Sequence, residues 1–310
     1  MDMRKKEKPV LQKIIFPAIM LITFWILAIV LWQSTQHIFY LFNFGYIGSS
    51  LGFGIGLYSL LPRKRKPLGR KVAQFLVGGY MLGFLGLFAF ENMQIEGFFF
   101  YLLSGFFAGA VMHYLIAKVF GPVLFNCGWC GLACWTAMVL DLLPFTRNSG
   151  WVSGKLRWLR FGFFAFSLGL VLVLWFGFGF RYQSKATELY WLLVGNAVYY
   201  GLAIPTAFFF KDNRAFCKYI CPITAILKTT SRFSLLKISG EAETCDDCGA
   251  CTKMCPMSIQ IPEYIKNGER VLSTECILCQ TCVSVCPSQT LRISFGWDMG
   301  GKELLVERKK

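Results

Sequence analysis

The sequence predicts a mostly α-helical membrane protein of about six transmembrane helices, with a small α+β domain at its C-terminal end. Three observations carry this. The 310-residue chain is 55% hydrophobic and 17% aromatic, with a mean hydropathy of +0.51, and only 16% of it is charged, against about 25% in a soluble domain. Uncharged runs of bilayer-spanning length recur up to residue 210. Beyond residue 240 those runs stop, and eight cysteines follow at a spacing that is written twice.

The elements follow in order. Residues 1–13 form a basic tail with Arg4, Lys5, Lys6, Lys8 and Lys13. Residues 14–32 hold no charge and are read as a first span; a signal peptide would have a shorter apolar core and a small-residue cleavage site. A second span, 38–61, is stopped by Arg63, Lys64, Arg65, Lys66, Arg70 and Lys71. Residues 72–90 make the third, and Glu91 and Glu96 bracket a short polar turn. Residues 97–117, closed by Lys118, make the fourth. Residues 161–180 and 189–210 make the fifth and sixth, with Pro205 tolerated as a kink. Glycines such as Gly52, Gly54 and Gly56 favour close helix approach.

Charge sets the expected orientation. Residues 1–240 hold 24 Lys+Arg against 7 Asp+Glu, and residues 241–310 hold 8 against 10. With a cytoplasmic N-terminus, the inner segments 1–13, 62–71 and 118–160 carry 5, 6 and 5 Lys+Arg, and the outer segments 33–37, 91–96 and 181–188 carry 0, 0 and 2. Basic residues collect on the cytoplasmic side of spans, so both termini are expected inside, in the cytoplasmic membrane of a prokaryote. Residues 127–140 are apolar but short. Counted as a span, they would place Arg147, Lys155, Arg157 and Arg160 outside, so they are expected to dip into the cytoplasmic face and return. Basic charge beside apolar spans meets membrane lipid; with no separate basic face, nucleic-acid binding is not expected.

The C-terminal cysteines read Cys245-x2-Cys248-x2-Cys251-x3-Cys255-Pro256, then Cys276-x2-Cys279-x2-Cys282-x3-Cys286-Pro287. This is the spacing of a bacterial ferredoxin-like domain with two [4Fe–4S] clusters, in which the fourth cysteine of each run ligates the other cluster. One cluster is expected on Cys245, Cys248, Cys251 and Cys286, the second on Cys276, Cys279, Cys282 and Cys255. Zinc sites want four ligands in two knuckles and need no third cysteine or Cys-Pro. A disulfide framework belongs to small secreted domains.

A second repeat lies at the membrane face. Asn126-Cys-Gly-Trp-Cys130 continues to Cys134, Thr136 and Ala137, and Asn213-Arg-Ala-Phe-Cys217 continues to Cys221, Thr224 and Ala225. If each box is helical, its two cysteines share a face. A third iron–sulfur centre on Cys130, Cys134, Cys217 and Cys221 is one reading; redox-active thiols and structural cysteines are the others. Cys127 has no counterpart, since Arg214 stands there. The expected organisation is a tail 1–13, a membrane domain 14–240 with boxes at 127–134 and 217–222, a two-cluster domain 241–293 and a charged tail 294–310.

Two Cys-x3-Cys boxes followed by such a domain resemble the membrane-bound polyferredoxins of the NapH, NosR and FixG/CcoG group. The resemblance covers about residues 97–290, and the box from Cys217 to Pro222 is its more diagnostic part. The chain departs from the group's pattern where Trp135 replaces the proline expected after Cys134, and in carrying more spans than its simplest members. The resemblance implies electron transfer between a cytoplasmic donor or acceptor protein, or the quinone pool, and a partner oxidoreductase subunit, as a component of a quinol-dehydrogenase type of enzyme. The other reading is a maturation or regulatory protein, a metal-ion reductase or redox sensor. Met or His clusters near the boxes would mark a copper site, and only Met138 and His113 are there.

The two histidines, His37 and His113, sit near opposite faces, so no haem is expected. His113 and Asp141 are the candidates for proton chemistry at a quinone pocket, with helix packing the plainer alternative. Trp129, Trp135, Phe216 and Tyr219 flank the boxes as interface anchors.

Overall fold

The computed structural model describes residues 10–107, 109–146, 154–181 and 184–306, with side chains from residue 14. The basic side chains of the N-terminal tail, Arg147 and the last four residues of the charged tail lie outside the described residues. Five described helices are long and apolar enough to cross a membrane: α1 (Ile14–Thr35), α2 (Ile38–Leu60), α3 (Arg63–Phe88), and the later helices Lys155–Gly177 and Lys185–Phe210. Ile22, Ile26, Phe53, Phe166 and Phe209 lie more than half exposed on these helices. Such surfaces suit a lipid solvent, in which only structures that satisfy their own backbone can span.

The chain divides into two compact units at Val77. In the first, α1 and α2 are joined by two residues, with Gln36 turned to φ 58°. The glycines of α2 and α3 let backbones meet. A Cβ on Gly54 would lie 2.4 Å from that of Ala73, and a Cβ on Gly69 would lie 2.3 Å from the Tyr58 nitrogen.

In the second unit the expected fourth span takes a different form. Residues 97–117 are not one helix. The Lys185 ammonium donates to the Ala89 carbonyl, and the Gln94 amide donates to that of Leu192, seven residues and about 10 Å further along the same helix. The segment bracketed by Glu91 and Glu96 therefore descends instead of turning at the surface, and Asn92 and Gln94 are fully buried. Helix α4 (Ile95–Leu103) then climbs back, since Tyr101 hydrogen-bonds to Glu188. Gly105 and Gly109, at φ 70° and 55°, reverse the chain into α5 (Ala110–Phe125). Phe98 stacks on Tyr114 with ring centroids 4.7 Å apart. In a single helix, residues that far apart in sequence would lie about 24 Å apart. Irregular backbone at such depth persists only where protein buries it.

Residues 127–140 form two short helices, α6 (Gly128–Leu132) and α7 (Trp135–Leu140). Trp135 donates to Asn196 at 3.0 Å, and Asn196 lies near the middle of α9 (Lys185–Phe210), which follows α8 (Lys155–Gly177). Asp141 then meets Arg214, just past the end of α9. The stretch thus reaches the mid-level of α9 and returns to its end.

Beyond α10 (Ala215–Tyr219) and α11 (Ile223–Ser231), strand β1 (Leu236–Ser239) pairs antiparallel with β2 (Arg292–Phe295), Leu236 opposite Phe295 and Ser239 opposite Arg292. Two stretches between them repeat each other in the backbone. Asp247 and Leu278, Gly249 and Gln280, and Ser258 and Gln289 all have positive φ, each pair 31 residues apart. Helices α12 (Ala250–Lys253) and α14 (Thr281–Val285) hold matching places, with α13 (Ile261–Lys266) between the halves.

Candidate iron–sulfur centres

The twofold backbone builds two hollows. One is lined by Cys245, Cys248, Cys251 and Cys286. The other is lined by Cys255, Cys276, Cys279 and Cys282. Each takes three cysteines from one run and the last from the other, and Ile261 forms part of both walls. Among the described residues no three His, Cys, Asp or Glu side chains converge on a single ion; the thiols surround a space instead, which suits a multi-atom cluster better than zinc. Turned loops also direct peptide N–H groups at sulfur. Met257 and Ile259 donate to Cys255, and Leu278 donates to Cys276. Such bonds favour thiolate and tune cluster potential. The donor set fits, with four thiols around each space; burial pushes the Cys255 thiol up to about 11, so a bound metal would be what holds that sulfur as thiolate at neutral pH.

Glu275, the residue before Cys276, fastens this domain to the helices. It is 2% exposed, and takes Arg157 and Arg160 at 3.1 Å and Lys228 at 2.7 Å. Burial alone would push its carboxyl up, but Arg160, Lys228 and Arg157 together outweigh burial and hold it at about 2. Arg160 also donates to the Lys218 carbonyl, and Lys218 pairs with Asp212 at 2.5 Å and donates to Ser258 at 2.6 Å. These buried charges are thus tied to the domain or to its neighbours, as buried charge requires.

The boxes come together. Cys127, Cys130 and Cys217 line one hollow. Cys134 and Cys221 stand within electrostatic reach of Cys130 and Cys217. Burial pushes the Cys217 thiol up to about 11 and that of Cys221 to about 12. One feature repeats that of the C-terminal cysteines, since Cys221 accepts from the N–H groups of Ile223 and Thr224; another is particular to the boxes, where the cation of Arg214 bonds Cys217. Lys118, fully buried over the Tyr114 ring at 3.7 Å, is within electrostatic reach of Cys134, Cys130 and Cys221.

The two candidates for proton chemistry fare differently. Asp141 is committed to Arg214 at 2.7 Å, and Arg214 also holds the Cys130 carbonyl at 3.1 Å. His113 is buried edge-on against Trp129, centroids 4.8 Å apart, with no hydrogen-bond partner for either ring nitrogen among the described residues. The sequence reading missed Glu96, Tyr114 and Tyr199. Glu96 accepts from Ser167 at 2.8 Å, leaving its second oxygen and both tyrosine hydroxyls buried and unpaired among the described residues. A carboxylate beside a predicted outer turn gave no hint of that depth.

The fold and these hollows define a helical membrane protein with a cysteine-built C-terminal domain. The 4Fe–4S dicluster domain family matches residues 237–289, which hold all eight cysteines of the two runs, and a 4Fe–4S binding domain family matches residues 196–239, which hold Cys217 and Cys221. Relatives similar to the chain include YccM of Escherichia coli, 42% identical over 84 residues, 27% of this chain and 22% of that one. The methylamine utilization ferredoxin-type protein MauN of Paracoccus denitrificans is 36% identical over 70 residues, 22% of this chain and 25% of that one. The ferredoxin-type protein NapH of Haemophilus influenzae is 30% identical over 95 residues, 29% of this chain and 33% of that one. The chain resembles the NapH-type polyferredoxins over these stretches and spans a third or less of each relative's length. No solved structure matches it.

Proposed function

We propose that the chain is a membrane-anchored iron–sulfur electron-transfer protein with three centres. Cys245, Cys248, Cys251 and Cys286 would hold one [4Fe–4S] cluster, and Cys276, Cys279, Cys282 and Cys255 a second. Cys130, Cys134, Cys217 and Cys221 would hold a third centre. The observation that carries this reading is the gathering of twelve cysteines into three separate sets in one unit of the fold. When bound, such clusters accept and release single electrons.

The rest of the chain binds, orients and shields. Peptide N–H groups and Arg214 favour thiolate at the ligands, and the Glu275 cage fixes the domain against 157–160 and α11. The segments that charge counting places on the cytoplasmic side, around Cys127, Arg160 and Lys228, are those that touch Ser273 to Cys276. This supports a C-terminal domain on the cytoplasmic side of the inner membrane, exchanging electrons with a soluble redox protein or a partner oxidoreductase subunit. Quinone is the proposed membrane-side reactant. The unpaired buried groups of Glu96, Tyr114, Tyr199 and His113 are what a headgroup that accepts hydrogen bonds and exchanges protons would meet.

Iron and acid-labile sulfide per purified chain, followed by an EPR-monitored redox titration with a quinone analogue and Cu(II) as alternative oxidants, test this. Three clusters and oxidation by quinone are expected, with Cys221→Ser losing the third centre alone. A count for two clusters removes the third centre, and rapid oxidation by Cu(II) but not by quinone favours metal-ion reduction instead.

A further inference from the structure

The three hollows share walls in a fixed order. Met257 and Ile277 line both the box hollow, whose cysteines are Cys127, Cys130 and Cys217, and that of Cys255, Cys276, Cys279 and Cys282. Ile261 lines both this middle hollow and that of Cys245, Cys248, Cys251 and Cys286. Between the box hollow and the outermost one no lining residue is shared among the described residues.

The first junction is tightly built. The Asn126 amide donates to the Ser273 carbonyl at 3.4 Å, and the Cys127 thiol donates to that of Thr274 at 3.2 Å. The Cys127 N–H donates to the carbonyl of Cys276, a ligand-run residue, at 3.2 Å. One turn on, a Cβ on Gly131 would lie 2.2 Å from the Ile277 carbonyl oxygen. Backbone meets backbone there, and no side chain larger than hydrogen fits without separating the two segments. Cys127, which has no counterpart in the second box, thus has a place: it stitches the first box to the loop that carries Cys276.

We infer that the box centre exchanges electrons with the middle centre alone, across the Gly131–Ile277 contact, and that the middle centre is the obligatory link to the outer one. This rests on the three-centre reading above. Transfer across the junction oxidises one centre and reduces its neighbour by one electron, with no bond made or broken. Gly131, Asn126 and Cys127 are positioning residues, acting through the loop they hold.

The test uses the full chain, reconstituted anaerobically in detergent, with iron and sulfide counted before any spectrum. A count for two clusters overturns the third centre and the order with it. With three present, EPR of the fully reduced protein is expected to show magnetic interaction between neighbouring centres. Gly131→Val is expected to keep the cluster count and lose the interaction of the box centre, leaving that between the two C-terminal centres. Where valine prevents folding, Gly131→Ala and a pair of cluster deletions decide. Cys279→Ser, removing the middle centre, is expected to isolate the box centre and halt its exchange with the outer one. Cys248→Ser, removing the outer centre, is expected to leave the box interaction intact. The order is overturned if Cys248→Ser abolishes that interaction, if Cys279→Ser leaves box-to-outer exchange running, or if a fully loaded Gly131 variant keeps the parent spectrum.

Discussion

Glu275→Gln is expected to loosen the C-terminal domain far more than its single lost charge suggests. The substitution leaves Arg160 at 0% side-chain exposure, Arg157 at 10% and Lys228 at 22% facing a neutral amide. Lys228 can swing toward water, but Arg160 cannot. Removing one partner of a buried ion pair costs about 3–5 kcal/mol, because the survivor stays desolvated. For a unit of this size each kcal/mol moves a thermal midpoint by about 2–4 °C, so a fall of roughly 6–20 °C is expected. The assay is loss of cluster absorbance on anaerobic heating of the purified protein. The control is Glu241→Gln, which removes the Arg292 pair at 57% and 42% exposure. Exposed pairs contribute about 0.2–1 kcal/mol, so that midpoint is expected within about 4 °C of the parent. Equal midpoints for the two variants would refute the argument that the Glu275 cage fixes the domain.

Other outcomes follow from the same structure. Asp141→Asn leaves Arg214 without its partner and is expected to cost up to about 3–5 kcal/mol; the Asp141→Leu, Arg214→Met double variant should recover part of that in the same heating assay. Lys118→Met removes a buried cation beside the box cysteines, and so is expected to lower the reduction potential of the centre proposed there, since a cation favours the more negative reduced form; a redox titration should show the C-terminal centres unmoved. Gly54→Val drives a side chain into Ala73 and is expected to cost about 1–3 kcal/mol by overpacking, read as earlier heat denaturation of the detergent-solubilised chain.

What the sequence made legible is what spacing and hydropathy encode. Eight cysteines with Cys-Pro ends mark the 4Fe–4S dicluster domain, and runs such as residues 14–32 mark membrane helices. The reversal between Leu103 and Ala110 was illegible, because glycine is common inside membrane helices and an apolar hairpin scores like an apolar rod. The polar segment Asn92 to Glu96 looked like a surface turn for the same reason: hydropathy weighs residues without knowing that Ser167 and Leu192 await them. Glu275 stands just ahead of the second cysteine run with nothing to mark it, and its three basic partners come from two distant segments. Only the folded chain shows that Asp141 answers Arg214 more than any reactant. The Gly131 contact had no signature at all, since one glycine among thirty does not announce which carbonyl it faces.

The matched loops hold two cradles of nearly one shape in unequal surroundings. Among the described cysteines Cys248 is the exposed one, while Cys255, Cys276 and Cys282 are buried. Oxidants attack sulfur where they can reach it. Air would therefore corrode the cradle of Cys248 first and leave that of Cys255, Cys276 and Cys282 intact for longer. One cradle would then be lost while the other was still whole, and a fresh supply of iron and sulfide could refill it without the chain having to be made again.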